Sequence, residues 1–110
     1  MTTVIHSVRL VDDGGVTDDA WVAFEGDTVL RTGTGDAWRA LPAGDAFDGA
    51  GAYLAPGFVD IHGHGGGGAA FDDGADAIRT ARAVHRAHGT TRAVLSLVTA
   101  SIDDLAARVA

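Results

Sequence analysis

Cysteine is absent from this 110-residue chain, which rules out a disulfide framework and any thiolate chemistry. Lysine is absent as well: all eight basic residues are arginines, scattered from Arg9 to Arg108 without a cluster. A mononucleotide P-loop needs a lysine to reach the phosphates, so that class is excluded. Formal charge is −7 and the pI is near 4.8. Nucleic-acid binding requires clustered cations, so no nucleic-acid partner is expected. No apolar stretch is long enough to span a bilayer, and the first thirty residues lack the basic start and continuous apolar segment of a signal peptide. The default expectation is a soluble cytoplasmic protein with no membrane partner.

What the chain does have is a β-rich opening. Val4 to Val11 reads as a strand and Asp12-Asp13-Gly14-Gly15 as the turn after it. Ala20 to Glu25 and Thr28 to Thr32 are two further strands, and Gly26-Asp27 between them suits a tight hairpin with glycine first. Trp21 and Phe24 are expected to fill a small β core. Gly33 to Gly51 reads as a connection holding at most one short strand.

Composition then shifts. Ala52 to His62 is an apolar run of the kind buried on both faces of a parallel sheet. Ile78, Ala81, Val84, His85 and His88 recur at helical spacing, with Asp72 and Asp73 as start signals and Gly89 as the stop. Arg79, Arg82 and Arg86 fall on another flank as a solvated stripe, and His85 and His88 read as helix-edge residues. Thr91 to Val98 reads as a second apolar strand. Ser101-x-x-Asp104 is a helix-capping signature, and the helical pattern that follows runs to Ala110 without a terminator, as in an N-terminal fragment. The order strand, helix, strand, helix start implies parallel βα units. Residues 1–51 are thus expected to form one β-rich part and residues 52–110 another part, of α/β class.

The most specific motif is Pro56-Gly57-Phe58-Val59-Asp60-Ile61-His62-Gly63-His64, followed by Gly65 to Gly68. Strand side chains alternate, so Phe58, Asp60, His62 and His64 are expected on one face. Two residues of strand advance roughly 6.5 Å, and imidazole nitrogen binds zinc at about 2.0 to 2.1 Å, so two convergent rings can reach one ion. His62 and His64 are therefore the candidate metal ligands. Asp60, deeper on the same face, is the candidate for an orienting hydrogen bond behind them. Gly65, Gly66, Gly67 and Gly68 can turn the chain sharply and leave a side-chain-free floor for a ligand.

Together with His88-Gly89-Thr90-Thr91 and Leu95-Ser96-Leu97-Val98-Thr99, this motif resembles the amidohydrolase superfamily and, within it, the N-acetylglucosamine-6-phosphate deacetylases. The resemblance implies a small N-terminal β-sandwich part followed by the first two βα units of a metal-dependent (β/α)8 barrel, with residues 52–110 covering only those units. It implies hydrolysis of the N-acetyl group of N-acetylglucosamine 6-phosphate to glucosamine 6-phosphate and acetate, with one or two divalent ions (zinc, iron or similar). It also implies an aspartate general base after the eighth barrel strand, outside these residues, so that the 110-residue chain alone is inactive. The phosphate-binding residues are expected outside this segment or on another subunit, with a homodimer when full length. Ser96 departs from the pattern, since many chains similar to this one have proline there; the difference is read as strand packing.

Three alternatives stand beside this reading. One is another amidohydrolase, a cyclic-amide hydrolase or a deaminase, although glycine follows the histidine pair here in place of a charged residue. Another is a non-catalytic remnant. The third is a dinucleotide-binding module, because Gly63 to Gly68 also satisfies Gly-x-Gly-x-x-Gly; the acidic residue that motif requires at the end of the next strand is missing.

Overall fold

A computed structural model describes residues 1–110. The chain is of mixed α/β class, mostly strand, and divides into two compact units, Met1–Pro56 and Gly57–Ala110.

The first unit is one mixed sheet. Strands β1 (Thr3–Asp12), β2 (Gly15–Glu25) and β3 (Thr28–Thr34) form an antiparallel meander, as the turn signals predict. At Gly26-Asp27 only the glycine takes positive φ, +58°. The other edge of β1 is covered by two short parallel strands, β4 (Asp45–Asp48) and β5 (Tyr53–Leu54), so the connecting region holds the single short strand expected of it. The chain leaves β1 between them, held by Gly49 N–H to His6 O and Gly51 N–H to Ser7 O. Five strands in one sheet supply one layer, without a second sheet facing it.

Val4, Trp21 and Ala23 form the core of this unit, with Trp38, Leu41 and Ala43 packed against them. Trp21 is 2% exposed and donates from its indole to Thr34 O. Its ring lies where a Cβ on Gly33 would stand, so the facing strand must carry glycine there. Phe24 is only half-buried, near the end of β2 where its pairing with β3 becomes irregular.

The apolar run from Ala52 to His62 is not one strand. Tyr53 and Leu54 pair with Arg9 and Leu10 in the first unit, and β6 (Phe58–Gly63) begins the second. Pro56, which has no N–H to offer a ladder, separates them. The units accordingly divide between Pro56 and Gly57, five residues after the compositional shift.

In the second unit β6 pairs in parallel with β9 (Thr90–Leu95). Between them lie β7 (Gly65–Gly66) and β8 (Ala69–Ala70), a short turn of 3-10 helix at Phe71–Asp73, and helix α1 (Ala75–Ala87). The helix begins after Gly74, at φ +93°, and ends before Gly89, at φ +97°. Asp72 and Asp73 are not its caps. Asp72 instead turns toward the segment after β9: its carboxylate accepts from Val98 N–H at 3.0 Å and from Arg108 at 2.6 Å. β9 stops at Leu95, three residues short of the apolar run, where its partner strand ends at Gly63. Helix α2 (Ile102–Val109) follows, with Ser101 accepting from the Asp104 amide and donating to its carboxylate, the reciprocal cap its sequence predicts. No helix is long and apolar enough to cross a membrane.

Asp72 is only 13% exposed and ties together two segments distant in sequence. Replacing it by alanine leaves the Val98 amide and the Arg108 guanidinium without their partner, a cost of about 1–3 kcal/mol by the usual worth of charge-assisted hydrogen bonds. Hydrogen exchange at α2 amides is the measurement, since both tryptophans belong to the first unit and do not report on this one. Unchanged protection in Asp72→Ala contradicts the clamp.

The β6–β9 pair is not buried on both faces. Phe58, Val59, Ile61 and Val94 are exposed, Ile61 by 77%. Two strands and one helix leave most of the apolar surface of this sheet uncovered by the chain itself.

Candidate metal centre

His62 is the penultimate residue of β6, and His64 follows directly after the strand's last residue, Gly63. Pairing with β9 becomes irregular between Asp60 and Gly63, so strict pleat alternation no longer applies at the end of the motif. The two rings still meet: their centroids lie 4.9 Å apart, edge to face at 83°. Two imidazoles on one zinc, each at about 2.1 Å, have centroids about 5 Å apart at a tetrahedral angle. The spacing and the neutral nitrogen donors both fit a borderline divalent ion. No third histidine, aspartate or glutamate groups with them, so further donors have to complete a ligand shell.

Asp60 does not touch either ring. Its carboxylate accepts from the His62 backbone N–H at 3.1 Å and lies 3.2 Å from where a Cβ on Gly63 would be. It therefore fixes the backbone carrying the first imidazole, and Gly63 keeps that turn clear. The residue found on the ring is Ser96, whose hydroxyl is 3.1 Å from His62 Nδ1 and whose amide donates to Gly63 O at 2.9 Å. Its register explains its place: Gly63 pairs with Leu95, so the next residue of a parallel neighbour arrives beside the histidine pair. Reading Ser96 as strand packing alone missed this contact. The signal available in the sequence was a hydroxyl one residue past the end of the strand parallel to the motif.

The four glycines form a hairpin in place of an open floor. Gly65 and Gly66 pair with Ala70 and Ala69, and Gly67 and Gly68 make the turn with φ of +62° and +80°, the positive pair that a two-residue type I′ connection requires. A Cβ at Gly65 would overlap the Ala69 carbonyl; at Gly66 it would stand 2.8 Å from His85 Nε2, and at Gly67 2.7 Å from Val84. Only Gly68 faces open space. The paired strand β8 demands glycine at Gly65, and close packing against α1 demands it at Gly66 and Gly67.

His85, expected at the helix edge, donates from Nε2 to Gly65 O at 2.9 Å, and His88 donates from Nδ1 to Val84 O at 2.9 Å. Both rings are engaged in backbone contacts, and neither groups with the histidine pair as a further metal donor. Arg79, Arg82 and Arg86 are exposed as expected, and with Arg92 they line a cavity of about 440 Å³ between α1 and the start of β9. That cavity borders Thr90 and Thr91, the opposite end of the strand from Ser96, and so is not the histidine site.

Comparison with known structures finds deacetylases that resemble the whole of this chain. The chain is 35% identical to the N-acetyl-D-glucosamine-6-phosphate deacetylase of Mycobacterium smegmatis over 99% of its own length, with a TM-score of 0.75. Over nearly its whole length the chain is similar to N-acetylglucosamine-6-phosphate deacetylases. It spans 30% of that deacetylase structure and 27% of a second one, a mutant from the same organism in complex with N-acetyl-D-glucosamine-6-phosphate, at the same identity and TM-score. The deacetylase of Pasteurella multocida shares the fold, with a TM-score of 0.85 over 99% of this chain and 29% of its own, at 17% identity. No protein-family model and no curated protein sequence matches the chain.

If Asp60 holds the His62 backbone in place, Asp60→Ala is expected to weaken zinc binding by about tenfold while leaving the unit folded, the lower end of what outer-shell groups contribute. Zinc titration followed by ring NMR signals reads this. Wild-type affinity in Asp60→Ala contradicts the assignment.

Proposed function

We propose that the natural protein hydrolyses the N-acetyl group of N-acetylglucosamine 6-phosphate, giving glucosamine 6-phosphate and acetate, and that this chain contributes the first part of its metal centre. The observation that carries the reading is the meeting of His62 and His64 at 4.9 Å at the carboxyl end of a parallel strand pair, within a chain 35% identical to such a deacetylase. Barrel enzymes place their sites at that end of their strands. The exposed apolar faces of β6 and β9 and the intervening helix support reading residues from Gly57 onward as the opening βα units of a (β/α)8 barrel.

In this proposal His62 and His64 are ligands to a divalent ion, zinc or iron in kind. Such an ion, when bound, supplies Lewis acidity that makes water nucleophilic near neutral pH and polarises the acetamide carbonyl. The chain's own residues set the geometry. Asp60 holds the His62 backbone, and the Gly65–Ala70 hairpin, fastened to α1 by His85, fixes the segment following His64. Phe71 N–H, donating to His64 O at 2.8 Å, closes the same turn. Proton transfer to the leaving amine belongs to an aspartate outside residues 1–110, so the 110-residue chain alone binds metal weakly and does not turn over substrate. Cytoplasmic location and pairing of two copies complete the proposal.

The test is acetate release from N-acetylglucosamine 6-phosphate by the natural protein, run beside cyclic amides and an aminated purine or pyrimidine. Turnover of the amino-sugar phosphate alone supports the proposal. Turnover of a cyclic amide or a deamination, without acetate release, replaces it with another amidohydrolase activity.

A further inference from the structure

We infer that His85 is a positioning residue for the metal centre: its Nε2–H, donated to the Gly65 carbonyl, holds the backbone that carries His64 and so sets that ring against His62. The inference rests on the reading of His64 as a metal ligand, and it deepens that reading by naming what fixes the chain behind the second ligand.

The hairpin leaves one carbonyl to be held from outside. Phe71 N–H donates to His64 O at 2.8 Å, which makes His64 and Phe71 a hydrogen-bonded pair at the open end of the β7–β8 hairpin. Bonded and non-bonded pairs alternate along an antiparallel ladder, so the next pair, Gly65 and Ala70, exchanges no backbone bonds, and Gly65 turns its carbonyl away from β8. Gly65 is half-buried, and a carbonyl in that setting needs a donor. His85 reaches it from α1, twenty residues further along the chain, at 2.9 Å.

The acceptor settles the direction of this bond. A carbonyl oxygen has lone pairs and no proton to give, so the proton lies on His85 Nε2. The neutral ring protonated at Nε2 and the imidazolium both carry that proton, so the contact is made in either form. Packing leaves little slack around it: a Cβ on Gly66 would stand 2.8 Å from the same nitrogen. The peptide after His64 is thus held from two sides, by the Phe71 amide at the His64 carbonyl and by α1 at the Gly65 carbonyl. The His64 ring itself is exposed and meets His62 edge to face, with no core around it, so its place follows from the backbone beneath it.

The test is zinc chloride titration of the 110-residue chain, followed by the ring NMR signals of the histidine pair. His85→Leu removes the donor and is expected to need about tenfold more zinc, the lower end of what outer-shell groups contribute. His85→Gln, whose amide still donates to a carbonyl, is expected to keep wild-type affinity. In a His64→Ala background His85→Leu is expected to change nothing further, because the ring it positions is gone, whereas a general loss of fold would act in both backgrounds. Wild-type affinity in His85→Leu overturns the inference. So does an equal loss in His85→Leu and His85→Gln, or a loss from His85→Leu that persists without His64. If His64→Ala itself leaves the titration unchanged, the metal reading fails instead, and the metal-free spectrum decides what His85 does: His64 ring signals displaced in His85→Leu and restored in His85→Gln support the positioning, and unmoved signals in His85→Leu overturn it.

Discussion

Replacing His62 and His64 together by alanine is expected to lower deacetylation by the natural protein at least about 1,000-fold, the scale set by removing electrostatic stabilisation from an acyl-transfer site. Both rings are exposed, and neither fills the apolar core. Stability is therefore expected to change by no more than about 0.5 kcal/mol, the usual range for surface substitutions. Loss of activity with an unchanged unfolding midpoint separates a metal role from a structural one. Bound metal, measured by elemental analysis, should fall in step with turnover. Wild-type turnover and stoichiometry in the double variant contradict the assignment of both residues.

Gly65→Ala is expected to destabilise the second unit by about 3 kcal/mol or more. Two effects add: a side chain at φ +157° is strained, and its Cβ would collide with the Ala69 carbonyl, a backbone atom that cannot rotate away. Gly68→Ala is the control. Its φ of +80° is also unfavourable to a side chain, but nothing lies within 4 Å, so the cost is about 1–2 kcal/mol from backbone strain alone. Hydrogen exchange at α1 amides reads the difference without interference from the tryptophan-bearing first unit. Equal protection loss in the two variants contradicts the hairpin as a packed element, and returns the glycine run to the role of an open floor.

The contrast between those two glycines shows where sequence reasoning reached and where it stopped. Local chemistry was readable: the positive φ at Gly26, the helix stop at Gly89 and the reciprocal cap at Ser101 and Asp104 all follow from residue type and spacing. Long-range partners were not. Nothing in the run of glycines reveals that α1 brings His85 and Val84 against it, and nothing near Asp72 reveals Val98 and Arg108, 26 and 36 residues away. The apolar run from Ala52 to His62 misled for a related reason: hydrophobicity signals strand, but Pro56 decides that one half joins β1 and the other β9. At the site, the rings of His62 and His64 meet although the pleat breaks before them, and alternation placed Asp60 behind the rings, whereas its carboxylate bends onto the backbone and Ser96, from the neighbouring strand, reaches the ring.

Metal dependence of the natural protein is the most direct test of the central claim, that the histidine pair closing β6 serves a catalytic ion. After exhaustive chelation and removal of the chelator, acetate release from N-acetylglucosamine 6-phosphate should disappear, and it should return on adding back a stoichiometric amount of zinc or iron(II) in the wild-type protein but not in the His62→Ala, His64→Ala double variant. Full activity in protein shown to carry no metal contradicts the account.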